Sequence, residues 1–132
     1  MVFTEERLSR AQAMRLNPKQ WAYVGDAVYD LFVRTHVLTT TDYPLSKMHK
    51  LSIGHVGCKP QAAALERIEP QLTPEEADIV RRGRKLRTHT SHPNADQGDY
   101  ARATALEALI GYLYLTGQDA RTEEIMGIIL EG

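Results

Sequence analysis

The stretch ATALEALIGYLYL, residues 103–115, predicts a helix that is apolar on almost every side, and Glu107 is its only charged residue. A helix that is apolar all round lies inside a fold, and a glutamate is almost never fully buried unless something pairs with it. Glu107 has no cation one helical turn away, where the residues are Ala103, Thr104, Ile110 and Gly111. Its partner must therefore come from elsewhere in the fold or be a bound metal ion, and Gly111 predicts open space beside it.

A second carboxylate, Asp26, lies in the stretch WAYVGDAVY, residues 21–29. Asn17 and Pro18 predict the start of this helix, because Asn caps a first turn well and Pro suits the first helical position. Helical spacing predicts that its main buried stripe consists of Trp21, Val24, Val28, Leu31 and Phe32. Asp26 lies away from that stripe, but its own face also carries Ala22, Tyr29 and Val33. We therefore expect that Asp26 need not be fully solvated.

The rest of the chain predicts an all-α fold, because it has many helix-forming residues and no sustained two-residue alternation. The predicted helices are Leu45 to about Gly57, Gln61–Ile68 after a break at Cys58–Pro60, one that begins with the capping box of Thr73 and Glu76, Asp99–Thr116, and Thr122–Leu130. Gly117 predicts the stop of the longest helix. We find no linker, so residues 1–132 are expected to form a single domain.

Composition excludes several classes of protein. The single cysteine, Cys58, allows no internal disulfide, and its surroundings predict a packed residue and not an activated nucleophile. The acidic start of the chain is unlike a signal peptide, and no apolar run is long enough to span a bilayer. His89 and His92 are three residues apart but lack the cysteine partners that a zinc site usually has. We expect a cytoplasmic protein.

The basic residues are clustered, although the net charge is only −1. Five of the seven residues from Arg81 to Arg87 are basic, and a second group runs from Lys47 to Lys59. Such clusters can follow a phosphate backbone even in a nearly neutral protein. The candidate phosphate contacts are Lys47, Lys50, Lys59, Arg81, Arg82, Arg84 and Lys85.

The two carboxylates have two interpretations that the residues alone leave open. In the first, Asp26 is a surface residue and Glu107 forms a structural salt bridge with a distant arginine. In the second, both converge on one hard divalent cation, since Mg²⁺ typically takes one or two carboxylates and keeps several waters. Such a site could polarise a phosphodiester and activate a water molecule as the nucleophile.

The same two stretches resemble the motifs of the ribonuclease III family. The segment YVGDAV, residues 23–28, is similar to the first signature of that family, and LEALIGYLY, residues 106–114, is similar to the second. The segments LSKMHK, residues 45–50, and VRRGR, residues 80–84, resemble the short variant called Mini-ribonuclease III. The resemblance covers roughly residues 16–118 and extends to the catalytic domain alone, without a double-stranded-RNA-binding domain.

The resemblance implies an all-helical homodimer that cuts double-stranded RNA with Mg²⁺, using Asp26 and Glu107 as catalytic metal ligands. For the short variant it implies maturation of the large-subunit (23S) ribosomal RNA precursor, and it allows for assistance by a ribosomal protein. We also expect a dimer because the central helices look too apolar for one small subunit to cover.

Two positions depart from the family pattern, and they keep other functions open. Ala22 and Thr104 stand where a standard ribonuclease III has two further acids, so the number of metal ions is open. Their loss suggests one alternative, an inactive RNA-binding helical module. A second alternative is a helical dimerisation protein whose basic patch meets an acidic partner protein.

Overall fold

The computed structural model describes residues 7–85 and 97–131, and within these residues it is helical without a strand. The helices are α1 (Arg10–Met14), α2 (Pro18–Thr40), α3 (Leu45–Val56), α4 (Cys58–Ile68), α5 (Pro74–Arg84), α6 (Gln97–Leu115) and α7 (Asp119–Glu131), with a 3₁₀ turn at Glu69–Gln71. The all-α prediction is confirmed. No helix in the described residues is both long and apolar enough to cross a membrane.

Local sequence signals account for most of the helix ends. Asn17 caps α2, and Thr73 forms the predicted capping box with Glu76 at the start of α5. Gly117 adopts a φ of 72° just after α6, a left-handed conformation that glycine reaches without a steric penalty. The sequence did not predict α1, a short helix that Ser9 caps.

The predicted break at Cys58–Pro60 is wrong, because α4 begins at Cys58 and the break lies at Gly57. Pro60 falls in the first turn of α4, where the missing N–H of a proline has no intrahelical acceptor to lose. Helix α5 ends at Arg84, and the predicted fraying towards Arg87 falls outside the described residues. The loop predicted around His89 and His92 also lies outside them.

Helix α6 is the centre of the fold and packs against α2, α4, α5 and α7. Its buried side chains point in all directions and include Ala105, Leu106, Ala108, Leu109, Ile110 and Leu113. One subunit therefore covers α6 by itself. Four neighbouring helices surround α6, and the predicted homodimer stays a prediction.

The buried face of α2 differs from the predicted stripe. The residues that face the core are spaced four apart: Trp21, Gly25, Tyr29, Val33 and Val37. Trp21 is common to both sets, but Val24, Val28 and Phe32 are only partly buried and Leu31 is 54% exposed. The prediction gave weight to the larger side chains, whereas the close packing of α2 depends on Gly25, which has no side chain.

Helices α2 and α6 cross with their backbones in contact at two glycines. A Cβ built on Gly25 would lie 1.7 Å from the carbonyl oxygen of Glu107, and one built on Gly111 would lie 1.7 Å from the carbonyl oxygen of Trp21. No other residue type fits at either position. The backbone of α2 thus occupies the space that was predicted to be open beside Gly111. The Trp21 ring packs edge-on against Tyr112 next to this crossing, with 5.5 Å between ring centroids.

We predict that Gly25→Ala lowers the free energy of unfolding by about 3 kcal/mol or more, because the added methyl group meets backbone and the two helices must separate. Urea denaturation measures this effect. Gly127→Ala in α7 is the matched control, since a Cβ there has nothing within 4 Å. The control should gain about 0.5–1 kcal/mol from helix propensity. Equal stability of the two variants would show that the crossing is looser than the structure indicates.

Candidate active site

The glycine crossing brings the two predicted carboxylates together. Asp26 follows Gly25 on α2, and Glu107 is the residue of α6 whose carbonyl oxygen lies against Gly25. The two side chains lie close enough for Asp26 to raise the pKa of Glu107, and a protonated Glu107 could donate a hydrogen bond to Asp26. Asp26 is exposed and Glu107 is partly buried, so the pair forms the wall of a site that solvent reaches from the Asp26 side.

The electrostatics of this pair are unfavourable for two ionised carboxylates. Burial raises the pKa of Glu107 to about 8, and its hydrogen bond with Asp26 and the charge of Asp26 act in the same direction. Gln61 of α4 acts in the opposite sense and lowers the pKa of Glu107. Two neighbouring negative charges disfavour the ionisation of both carboxyl groups at once. A cation placed between the two groups would relieve the repulsion.

The salt-bridge interpretation of Glu107 finds no support in residues 7–85 and 97–131. No lysine or arginine there forms an ion pair with Glu107 or with Asp26. Other acidic side chains of the fold do have such partners, as the buried Glu76 has in Arg121 at 2.8 Å. Among the described residues Glu107 thus differs from Glu76, the other acid drawn into the fold, in having no cationic partner.

The donor set fits a hard divalent cation that keeps much of its water. The described residues hold no cluster of three or more His, Cys, Asp or Glu side chains able to ligate a metal. Ala22 has no donor, and the Thr104 hydroxyl donates to the carbonyl oxygen of Tyr100 at 2.9 Å. Two carboxylates remain, which is the number that Mg²⁺ commonly takes from a protein. Asp26 and Glu107 are the residues that could hold it.

Cys58, at the start of α4, also lies near the carboxylates. Burial raises the pKa of its thiol, and the charges of Glu107 and Asp99 raise it further. A thiol whose pKa is raised is mostly protonated at neutral pH and is a poor nucleophile. This environment agrees with the prediction that Cys58 is a packed residue.

The predicted basic contacts fall into three groups. Arg81 and Arg82 both pair with Asp78, and Arg84 pairs with Glu69 at 2.5 Å. Lys47 lies over the Tyr43 ring, 3.8 Å from its centroid. The remaining residues are exposed and form no salt bridge with a described residue: they are Lys50, Lys59 and Lys85. Sequence reasoning counted the positive charges without their acidic neighbours: Asp78 lies one helical turn before Arg81 and Arg82, whereas Glu69 meets Arg84 only in the fold.

An apolar groove of about 720 Å³ runs along the outer face of α2 and reaches Asp26. Its α2 wall consists of Tyr23, Val24, Ala27, Val28, Leu31 and Phe32, and its other wall includes Arg7, Tyr114, Asp119 and Glu123. Tyr23 is 83% exposed. Most of the stripe that the sequence assigned to the core thus lines an open surface next to the carboxylates.

A model of the ribonuclease III domain matches residues 19–118 of this chain. The Mini-ribonuclease 3 of Clostridium tetani is 38% identical over 129 residues, which are 97% of this chain and 85% of that protein. The Mini-ribonuclease 3 of Staphylococcus aureus is 40% identical over 117 residues, 87% of each chain. The crystal structure of a protein from Fusobacterium nucleatum superposes with a TM-score of 0.80 at 27% identity, covering 89% of this chain and 94% of that one.

The helical fold, the paired carboxylates and these matches define an endoribonuclease of the ribonuclease III type. Within that class the chain belongs to the Mini-ribonuclease 3 family. The resemblance of residues 23–28 and 106–114 to the family signatures is thereby confirmed.

Glu107→Gln should make the metal-free protein more stable at alkaline pH. Because the folded-state pKa of Glu107 is raised from 4.5 to about 8, its favourable contribution to stability is present in full below pH 4.5. That contribution is lost as the pH rises through about 8. We expect a gain on the order of 2 kcal/mol for the variant at pH 9, less than the full shift because solvent screens the exposed Asp26.

Thermal denaturation in the presence of a chelator measures this difference. The two proteins should have the same midpoint near pH 4 and diverge as the pH rises. A variant that is less stable than the parent at every pH would instead identify Glu107 as half of a structural ion pair.

Proposed function

We propose that this protein is a Mg²⁺-dependent endonuclease of double-stranded RNA, in which Asp26 and Glu107 are the catalytic metal ligands. The observation that carries the proposal is the meeting of two carboxylates, from α2 and α6, with no cationic partner among the described residues. Membership in the ribonuclease III family supports RNA as the substrate. The proposed target is the large-subunit (23S) ribosomal RNA precursor, and residues 1–132 are proposed to act as one catalytic domain.

Each part of the proposed site would have a separate role. Bound Mg²⁺ would polarise the phosphodiester and lower the pKa of a water molecule that attacks the phosphorus. Glu107 is held by the backbone contact of α6 with Gly25, so its carboxylate has a defined place. Asp26 is exposed and can accept a ligand from the solvent side, where an RNA backbone would approach. Lysines on the surface would supply the sequence-independent attraction to phosphates.

The test of catalysis is incubation of a structured RNA duplex with and without Mg²⁺, followed by mapping of the cut ends. We expect Glu107→Gln and Asp26→Asn each to lower the cleavage rate by at least about 10³-fold, since an amide loses the charge that holds a hard cation. Glu66→Gln is the control, because Glu66 is exposed and lies on α4 outside the pair. A parent protein that binds the duplex but never cuts it would favour the inactive RNA-binding module that Ala22 and Thr104 suggested.

We propose that the protein acts as a homodimer whose interface is the groove on the outer face of α2. Its apolar side chains are exposed in one subunit, and a second copy would bury them. Because the groove reaches Asp26, this interface would place the active sites of the two subunits beside the contact. One site per subunit would then allow one cut in each strand of a duplex.

Leu31→Asp should convert the dimer to a monomer at micromolar concentration, because Leu31 lines the groove and is 54% exposed in one subunit. Sedimentation velocity measures the change. Leu38→Asp is the matched control: Leu38 lies on the same helix, is 64% exposed and is not part of the groove wall. A parent protein that is already monomeric, or equal dissociation of both variants, would rule out this interface.

The lysines without an acidic neighbour should contribute most to RNA affinity. Replacing Lys50, Lys59 and Lys85 by Met should weaken binding and flatten its salt dependence, by about one unit of logarithmic slope for each phosphate that is no longer neutralised. The same replacement of Arg81, Arg82 and Arg84 should have a smaller effect, since these side chains already pair with Asp78 and Glu69. Filter binding at several salt concentrations compares the two sets, and a larger effect of the arginines would reverse the assignment.

A further inference from the structure

Gly54 is a glycine inside α3 that the packing of this subunit does not require. A glycine in the interior of a helix lowers the stability of that helix relative to alanine. At Gly25, Gly83 and Gly111 a close neighbour explains the glycine, because an added Cβ would lie within 3 Å of the backbone of another helix. A Cβ built on Gly54 would have nothing within 4 Å, so this position faces open space. The glycine therefore requires an explanation from outside the subunit.

Gly54 shares the outer side of α3 with two lysines. Lys47, Lys50 and Gly54 are three and four residues apart, so they lie along one side of the helix. All three are exposed, whereas Ser52 on the opposite side is buried. We call the side that carries Lys47, Lys50 and Gly54 the α3 face.

The α3 face is positively charged, and no acidic side chain offsets its charge. Helix α3 contains no aspartate or glutamate, and neither Lys47 nor Lys50 forms a salt bridge with a described residue. The ammonium group of Lys47 lies 3.8 Å from the centre of the Tyr43 ring, a contact that favours one place for this exposed side chain. Two cations beside a bare stretch of helix backbone are complementary to a polyanion that comes close to the helix.

Helix α3 adjoins the helices that form the site of Asp26 and Glu107. It packs against α2, which carries Asp26, and against α4, which packs in turn against α6. Gly57 alone separates the end of α3 from the start of α4. The next residue, Cys58, lies near enough to Glu107 for the charge of that carboxylate to raise the pKa of the thiol. Helix α3 is therefore a neighbour of the proposed site and within the reach of a duplex bound there.

We propose that the α3 face binds the backbone of the double-stranded RNA substrate, with Gly54 as the point where the helix and the RNA come closest. This inference rests on the proposed function of the protein. Lys47 and Lys50 would meet phosphates, which supply attraction without sequence preference. The missing side chain at Gly54 lets the helix backbone approach the sugar–phosphate surface. Double-stranded RNA suits such a contact because it is recognised mainly by its shape, its phosphates and its 2′-hydroxyl groups.

An acidic partner protein is the alternative occupant of the α3 face. Leu51 and Ile53 are exposed on either side of this face and would contact such a partner. The centre of a protein–protein interface is depleted of charged residues, and its rim is polar. The α3 face has the reverse arrangement, with its lysines and its glycine in the middle and its apolar side chains at the edges. This arrangement favours RNA.

Filter binding of an RNA duplex without Mg²⁺ compares the parent protein with Gly54→Ala and Gly54→Gln, neither of which changes the charge. We expect the affinity to fall from the parent to Gly54→Ala and further to Gly54→Gln. The second variant should raise the Kd by about 5-fold or more, as extra atoms do in a close contact. The thermal midpoint should rise in both variants, because alanine and glutamine favour a helix more than glycine does. Opposite changes in stability and affinity would separate a binding role from a structural one.

Gly127→Gln is the matched control. A Cβ on Gly127 also has nothing within 4 Å, but Gly127 lies one turn from Glu123 and from Glu131 on α7, where a polyanion is repelled. This variant should leave the Kd for RNA unchanged. A double-mutant cycle adds Lys50→Met. If Gly54 and Lys50 belong to one contact, Gly54→Gln should have a smaller effect in that background than in the parent.

An unchanged Kd in Gly54→Gln would overturn the inference, as expected if the α3 face meets an acidic protein, and so would an equal rise in Gly127→Gln. Cleavage with Mg²⁺ keeps this result separate from the proposed function. A parent protein that cuts the duplex, with a Gly54→Gln variant that binds it as tightly, refutes the inference alone. A parent protein that binds the duplex without cutting it refutes the proposed function, while the variants still decide the role of the α3 face. A parent protein that does not bind the duplex refutes both.

Discussion

The contact between the backbones of α2 and α6 is the constraint on which the rest of the molecule depends. Gly25 and Gly111 each face a carbonyl group of the opposite helix, at a separation that excludes a Cβ. This approach decides which side of α2 is buried, and it lets Trp21 pack against Tyr112. It also sets Asp26 beside Glu107, because each carboxylate lies within four residues of one of the two glycines. Packing and chemistry thus follow from the same contact.

The fold pairs its acidic side chains in most places but not at this crossing. Arg121 binds the buried Glu76 through two nitrogens, and Arg7 binds Asp119 at 2.6 Å, so charges that serve the structure have partners. Glu107 instead has another acid as its neighbour, and its pKa is raised to about 8. Such an arrangement lowers the stability of the protein near neutral pH. Strained electrostatics of this kind are typical of sites that bind a ligand of opposite charge.

Helix α2 carries apolar side chains on two sides. This explains why its hydrophobic pattern predicts the wrong buried face. One side carries Trp21, Gly25 and Tyr29 into the core, and the other carries Leu31 and Phe32 to the groove. Hydrophobic spacing detects both sides and favours the one with more large side chains. The choice between them depends on the surface of α6, which lies about eighty residues further along the chain. An apolar side that remains open beside the carboxylates links the proposed dimer to the proposed active site.

The sequence by itself determined the features that depend on a few adjacent residues. Asn17, Thr73 and Gly117 mark helix ends because caps and a left-handed glycine act within a single turn. The two carboxylates stood out for a similar reason, since a charge inside an apolar run is visible in the run itself. Only the tertiary structure decided which side of α2 is buried and what fills the space at Gly111. These are contacts between helices far apart in the chain, and their geometry comes from the packing of whole helix surfaces, which no local pattern contains.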